Sequence, residues 1–294
     1  MILAIGEILA DMIGEKAQSG MNFKAFCGGA PFNVAVGAKK AGAKVAFVGR
    51  VGKDPVGKFV IKEACKAKLD RLYVQQDYVR STTLAFVTLT DGERDFAFSR
   101  HDTADFNLDF SEIDFDTMEN LNIIHLGSLM LSEKVGRNFA KKVVKKAKKL
   151  GKTLSFDVNF RMDIYNGLDD AIKAYKPFVE AADIIKFSDD ELCDYTGITE
   201  LIPAIESIAK KDKLVVVTLG SRGSMYYING LTGTVETEKV KPIDTTGAGD
   251  AFFGTLLANL EGKQLTQENI ENAMKIANKA GAEATQFLGA IKLD

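Results

Sequence analysis

The segment Asp244-Thr-Thr-Gly-Ala-Gly-Asp250 puts residue types together that could transfer a phosphoryl group. Gly247 and Gly249 flank Ala248, so the backbone can turn tightly and present bare amides. The apolar run Ala251–Leu260 that follows predicts a helix, whose first N–H groups lack partners and whose positive dipole end faces the loop. That is an anion site, and a carboxylate at Asp250 fits it if it takes a proton from a hydroxyl. The amides of Gly247, Ala248 and Gly249 would then hold the charge developing on a phosphoryl group. The plainer alternative is that Asp250 caps or occupies the first turn of that helix. The loop is not a Walker A, since no Lys-Ser/Thr follows, nor GxGxxG, since Phe252 stands at the third glycine's place.

The elements that must position this loop alternate along the chain. Apolar strand-like runs fall at Leu3–Ile5, Val45–Val48, Ile123–Leu126, Leu154–Val158, Ile184–Phe187 and Leu214–Leu219. Between most of them lie amphipathic helices such as Asn33–Ala41, Pro55–Lys68 (Asp54 as cap) and Ser132–Leu150. Continuous apolar strands separated by helices predict a parallel sheet covered on both faces. Thr83–Thr90 and Glu93–Arg100 alternate around Asp91-Gly92, a hairpin signal, and Met12–Phe26 reads as short-stranded and turn-rich. Together they predict a small β layer outside the main sheet. Ser224–Ile228 and Thr232–Glu236, joined by Asn229-Gly230, predict a second hairpin at the sheet's far edge. Ligands of open parallel sheets bind beyond the strands' carboxyl ends. There the sequence places Asp11, then Asp157, Asn159 and Arg161, then Ser188 and Glu191, then Thr218, Gly220, Ser221 and Gly223, which describes a cleft.

Continued as Ala251-Phe-Phe-Gly254, the Asp244 segment resembles the C-terminal signature of the ribokinase-like (PfkB) carbohydrate kinases. Cys27-Gly-Gly-Ala-Pro-Phe-Asn33-Val-Ala, with Gly42 and Gly49-Arg-Val-Gly-Lys-Asp54, resembles the same family's N-terminal signature. The whole is closest in appearance to bacterial fructokinases. The resemblance implies a three-layer α/β/α, Rossmann-like fold with a mostly parallel sheet. One kinase domain would span 1–294, with a small β-sheet lid from about 12–26 and 79–103 inserted in it. It also implies an ATP- and Mg²⁺-dependent kinase acting on a sugar's primary hydroxyl.

Residue by residue, the resemblance assigns Asp11, Gly28, Gly29 and Asn33 to the sugar, and Arg100 and Arg161 to substrate oxygens. Taken alone, Asp11 could be a turn carboxylate, Asn33 a helix cap and Arg161 the partner of Asp163. Asn159, Ser188, Thr218, Gly220, Ser221, Gly223 and Asn278 would serve the nucleotide, with Glu191 acting on Mg²⁺ through water. Ser188 with Glu191 also reads as a capping box, and Asn278 as a helix-surface amide. Asp244 and Thr246, with carbonyls at Ala284, Phe287 and Gly289, match positions that hold a monovalent cation such as K⁺. Ser188 stands where the family has Asn.

The sugar is read from Asp11 and from Ala30-Pro31-x-Asn33, which favour fructose. Phe98-Ser-Arg100 lacks the tyrosine of 2-keto-3-deoxygluconate kinases, which leaves that acid sugar second. A catalytically silent sugar or nucleotide sensor is the reading from another class. Bulk composition agrees with a small-molecule enzyme: a net charge of −2 and a pI near 5.9 give no support for nucleic-acid or anionic-membrane partners. Lys141–Lys149 is read as a solvated helix face, because Phe139, Val143, Ala147 and Leu150 form the opposite stripe. Cys27, Cys65 and Cys193 have no metal or disulfide spacing, and Cys27 reads as a packed small residue. Glu7 interrupts the first apolar run, so the expectation is a cytoplasmic protein. Exposed lid strands could pair two chains into a homodimer. His101 and His125 receive no catalytic role.

Overall fold

The computed structural model describes residues 1–16, 20–90 and 93–293. The chain begins with β1 (Ile2–Ile5), β2 (Leu9–Lys16), β3 (Met21–Gly28), α1 (Ala30–Lys40), β4 (Val45–Gly52), α2 (Pro55–Cys65) and β5 (Arg71–Asp77). It continues through β6 (Leu84–Thr90), β7 (Glu93–Ser99), β8 (Ile123–Leu126), α3 (Lys134–Lys149), β9 (Thr153–Asp157), α4 (Leu168–Ala181) and β10 (Ile184–Ser188). It closes with α5 (Asp189–Thr196), α6 (Leu201–Ile208), β11 (Leu214–Thr218), β12 (Ser224–Ile228), β13 (Leu231–Val235), α7 (Ala248–Leu260) and α8 (Gln267–Ala284).

Nine strands form one sheet in the order β13-β12-β11-β10-β9-β8-β1-β4-β5, parallel except where β12 and β13 turn back antiparallel. Alternate residues of each central strand enter opposite cores. Leu3, Ile5, Val215 and Val217 face the side carrying α3 to α6, whereas Ile2, Ala4, Leu214 and Val216 face that carrying α1, α2, α7 and α8. This two-sided burial is why these strands are continuously apolar. A second sheet, ordered β3-β2-β6-β7, holds the remaining strands. Among the described residues no helix is long and apolar enough to cross a membrane.

Several expectations shift. The Met12–Phe26 segment is not short-stranded: β2 and β3 run eight residues each, paired antiparallel from Leu9↔Gly28 to Lys16↔Met21. The Asp91-Gly92 turn lies outside the described residues. β5 was not expected, because as an edge strand it needs only one buried face and leaves Tyr73 exposed. α1 starts a turn earlier than Asn33, since Pro31 in its first turn is pre-set for helix and Gly29 takes the N-cap at φ 113°. Asn33 therefore is not a cap: its N–H donates to Gly29 O at 2.9 Å inside the helix. Asp54 caps α2 as expected, accepting from Gly57 N at 2.7 Å. α3 buries Phe139, Val143 and Ala147 and turns its lysines outward.

Candidate active site

The loop before α7 is drawn tight by Asp244. Its Oδ1 accepts from Thr246 N at 2.7 Å and its Oδ2 from Gly289 N at 3.0 Å. Thr285 O accepts from Ile243 N and Asp244 N, so the loop is stitched to the chain that follows α8. Gly247 is the N-cap of α7 at φ 76°, and an added Cβ would meet Ala290 O at 2.3 Å. Only glycine fits there, on both conformational and steric grounds. Ala248, Gly249 and Asp250 form the first helical turn, where N–H groups lack an acceptor four residues back. One of these amides is not wholly available to an anion, because Ala248 N–H turns back to Thr245 O at 3.3 Å.

Asp250 is held from α1, with Asn33 Nδ2 donating to its Oδ2 at 2.8 Å. Burial raises its pKa, while Asn33, Lys186 and Arg161 restrain the rise. α1 and α7 approach closely enough for this contact because of glycines: a Cβ on Gly254 would meet Val34 O at 2.2 Å.

Lys186 was not anticipated. It stands on β10, almost fully buried, with Nζ 2.8 and 2.9 Å from the two carboxylate oxygens of Asp157. A Cβ added to Gly249 would lie 3.4 Å from that Nζ, so the ammonium sits directly against the first turn of α7. Burial alone would lower its pKa, but Asp157, Glu191 and Asp250 more than offset this and keep it charged. The available signal was one lysine inside the otherwise apolar run Ile184–Phe187.

On the side expected to take the sugar, Asp11 lies on β2 against β3, where an added Gly28 Cβ would meet Asp11 Oδ2 at 2.0 Å. Burial, and then the charge of Asp250, push its pKa up to about 7. Gly29 also passes close to Glu7, its added Cβ falling 2.5 Å from Glu7 O. Arg161 is half-buried, acts electrostatically on both Asp11 and Asp250, and donates to Phe160 O. The side chain of Asp163 lies outside the described residues. Arg100 is turned toward Asp105, at 2.7 Å.

On the other side a cavity of about 620 Å³ opens, lined by Ser188, Thr218, Gly220, Ser221, Gly223 and Asn278 together with Ala248 and Gly249. Six of the seven residues expected for the nucleotide thus meet in one hollow ending at the α7 turn. Asn159, in the left-handed region at φ 38°, does not line it. Nor is Asn278 a surface amide: it is buried, gives Nδ2 to Val235 O and Glu236 O, and accepts from Ser224 Oγ. Its polar atoms are committed to holding the end of β13 against α8.

Ser188 and Glu191 form the full capping box of α5, and Glu191 Oε1 also accepts from Phe160 N at 3.1 Å. Among the described residues no cluster of three or more acidic, His or Cys side chains could hold a metal. The cation set is divided: Asp244, Thr246 and Gly289 are stitched together, whereas Ala284 and Phe287 line a separate hollow with α1 and α7. His125 is buried, 3.1 Å from Ser155 Oγ and edge-on to Phe253, and burial lowers its pKa to about 3. Cys27 is a buried free thiol.

Residues 1–293 match the family described as pfkB family carbohydrate kinase. The chain is 38% identical over 301 residues to probable fructokinase-5 of Arabidopsis thaliana, covering 99% of this chain and 93% of that one. It superposes on the fructokinase of Vibrio cholerae O395, a structure with fructose, ADP and calcium ion bound, with a TM-score of 0.89. The identity is 33%, covering 99% of this chain and 94% of that one. Against a fructokinase of Xylella fastidiosa with bound ATP the TM-score is 0.88 at 28% identity, covering 98% and 93%.

Proposed function

The chain belongs to the pfkB family of carbohydrate kinases, and from that premise we propose that it is a fructokinase, moving the γ-phosphoryl of ATP to a primary hydroxyl of fructose. One arrangement carries the reading. Asp250 is fixed by Asn33 between the large cavity reached by its neighbours Ala248 and Gly249 and the buried carboxyl of Asp11, on which its charge acts.

In this reading ATP occupies the cavity and directs its terminal phosphate at the α7 turn. Asp250 takes the proton of the attacking hydroxyl. A weak base suffices, because the loose transition state of phosphoryl transfer demands little activation of the nucleophile. Charge developing on the transferring group is met by the first-turn amides and by the Lys186 ammonium. Asp11 accepts hydrogen bonds from sugar hydroxyls. The small sheet acts as the lid.

The donor set around Glu191 suits a hydrated ion: both carboxylate oxygens already accept backbone N–H groups, and what remains can order water. Mg²⁺ held chiefly by ATP and water fits this better than a direct cage; when bound, it offsets phosphate charge. A monovalent cation beside Asp244 would complete the ordering of the anion loop. A cytoplasmic setting and pairing of two chains along β3, where Met21 and Phe23 are exposed, belong to the same reading. Light scattering on wild type and Met21→Lys tests the pairing.

The test is ADP release with Mg·ATP across a panel of sugars, run in K⁺ and in Na⁺ at equal ionic strength. Fructose is expected to give the highest kcat/KM. Asp250→Asn is expected to lower kcat by about 10²–10⁴ with fructose affinity kept. Turnover near wild type in that variant removes the base from Asp250. Binding of fructose without ADP release by wild type indicates a sensor, and equal rates in both salts remove the cation.

A further inference from the structure

On the fructokinase reading, the sugar-side face of the small sheet carries a charge balance with a consequence for substrate choice. One register row of that sheet runs Phe26, Asp11, Ala85, Phe98. Arg100 directly follows β7, and its charge acts on the buried Glu7, which also feels the charge of Asp250. Ala85 and Phe98 pack there with Leu9, Leu129 and Ile164 as an apolar cluster on the face that bears Asp11.

Arg100 is a cation beside that cluster, joined to Leu129 through the Ser132 hydroxyl. Its side chain is 4% exposed; Nε donates to Asp105 Oδ2 at 2.8 Å, Nη2 lies 2.7 Å from the same oxygen, and Nη1 donates to Ser132 Oγ at 2.6 Å. The guanidinium stacks over Phe106 at 4.8 Å. Asp105 is itself fixed: Thr83 and Thr103 hydroxyls donate to its Oδ1 at 2.5 and 2.7 Å, leaving Oδ2 for the arginine. Glu7, buried and with Oε2 unpartnered among the described residues, also feels this charge. Burial pushes its pKa up to about 8, which favours its neutral form. The carboxylate paired directly with Arg100 is that of Asp105.

We propose that Asp105 is the specificity determinant of this sugar pocket, neutralising Arg100 so that a neutral ketose is selected over a 2-keto sugar acid. A carboxylate brought to the Arg100–Asp105 pair would place two anions on one guanidinium away from water, which disfavours the acid. Arg100 without Asp105 would present an unpaired fork of the shape that binds carboxylates through two hydrogen bonds. Asp105 touches no substrate in this account; it acts through the arginine.

Asp105→Asn keeps the size and the acceptor for the two threonines while removing the charge. The measurement is kcat/KM for fructose and for 2-keto-3-deoxygluconate on wild type, Asp105→Asn and Arg100→Gln/Asp105→Asn. Wild type should prefer fructose, the single variant should gain at least about tenfold on the acid, and the double variant should lose that gain. An unchanged acid rate in a folded Asp105→Asn overturns the assignment, as does a gain that survives loss of Arg100. If Asp105→Asn fails to fold, Asp105→Ser, which admits water beside the guanidinium, is read in the same way. If a variant turns over neither sugar, equilibrium binding of the acid is compared with wild type, and binding no tighter than wild type overturns the assignment. Wild type inactive on fructose defeats the fructokinase reading alone, since the binding comparison still decides the role of Asp105. Wild type that prefers the acid defeats both.

Discussion

Lys186 places a buried ammonium against Gly249 of the α7 turn and pairs with Asp157, so its structural and catalytic contributions have to be separated. Lys186→Met removes one charged donor from the transferring phosphoryl, for which a loss of about 10²–10³ in kcat is expected. It also leaves Asp157 buried without its cation, a defect worth about 3–5 kcal/mol where the remaining partner stays charged. The two effects separate in Lys186→Met/Asp157→Asn, which should recover melting temperature and not turnover. Recovery of kcat along with stability would make Lys186 a scaffold residue only. The place of Asp250 in the first turn of a helix behind a glycine loop was legible from its neighbours in sequence. That of Lys186 was not, because Asp157 and Gly249 reach it only through strand pairing and helix docking.

The element that aims Asp250 is the α1–α7 contact. Two glycines make it: a Cβ on Gly37 would stand 3.2 Å from Ala251 Cα, and one on Gly254 would stand 2.2 Å from Val34 O and 2.8 Å from Ala38 N. Within an isolated helix, Gly254→Ala would add about 0.5–1 kcal/mol through propensity. Here the obstacle is backbone, which cannot rotate away, and overpacking of this kind costs about 1–3 kcal/mol. The clash should win. Gly254→Ala is expected to lower the melting temperature by about 2–8 °C, and kcat should fall because the Asn33–Asp250 hydrogen bond is re-aimed. A variant more stable than wild type with full turnover would show that α1 and α7 separate freely.

At the scale of the whole molecule, burying carboxylates at the cleft sets the pH dependence of stability. Glu7 titrates near 8 in the fold against 4.5 when exposed, and Asp11 near 7 against 3.8. Between those values the folded chain holds protons that the unfolded chain has shed, so stability falls as pH rises through this window. Asp54 and Asp77, held low by backbone hydrogen bonds despite some burial, act with the opposite sign only in the more acidic range. His125, lowered by burial to about 3, opposes the fall up to about pH 6.5, and Lys213, lowered by burial to about 8, opposes it above that value. The melting temperature should therefore drop most steeply between pH 6.5 and pH 8, and Glu7→Gln should flatten the drop and stabilise the chain at the alkaline end. A pH-independent melting temperature, or an unchanged slope in Glu7→Gln, contradicts this. The sequence by itself determined the alternating strands and helices, the anion loop with Asp250 and the residues at the strand ends. Those features rest on local backbone chemistry and hydrophobic period, which a linear chain carries in full. Tertiary structure alone decided that Asn33 holds Asp250 rather than capping a helix, that Asn278 braces β13, that Lys186 meets Gly249 and that Asp105 neutralises Arg100. Each of these is a contact between side chains on different elements, and its strength depends on burial and distance, quantities that exist only once the sheet has been ordered and the helices docked.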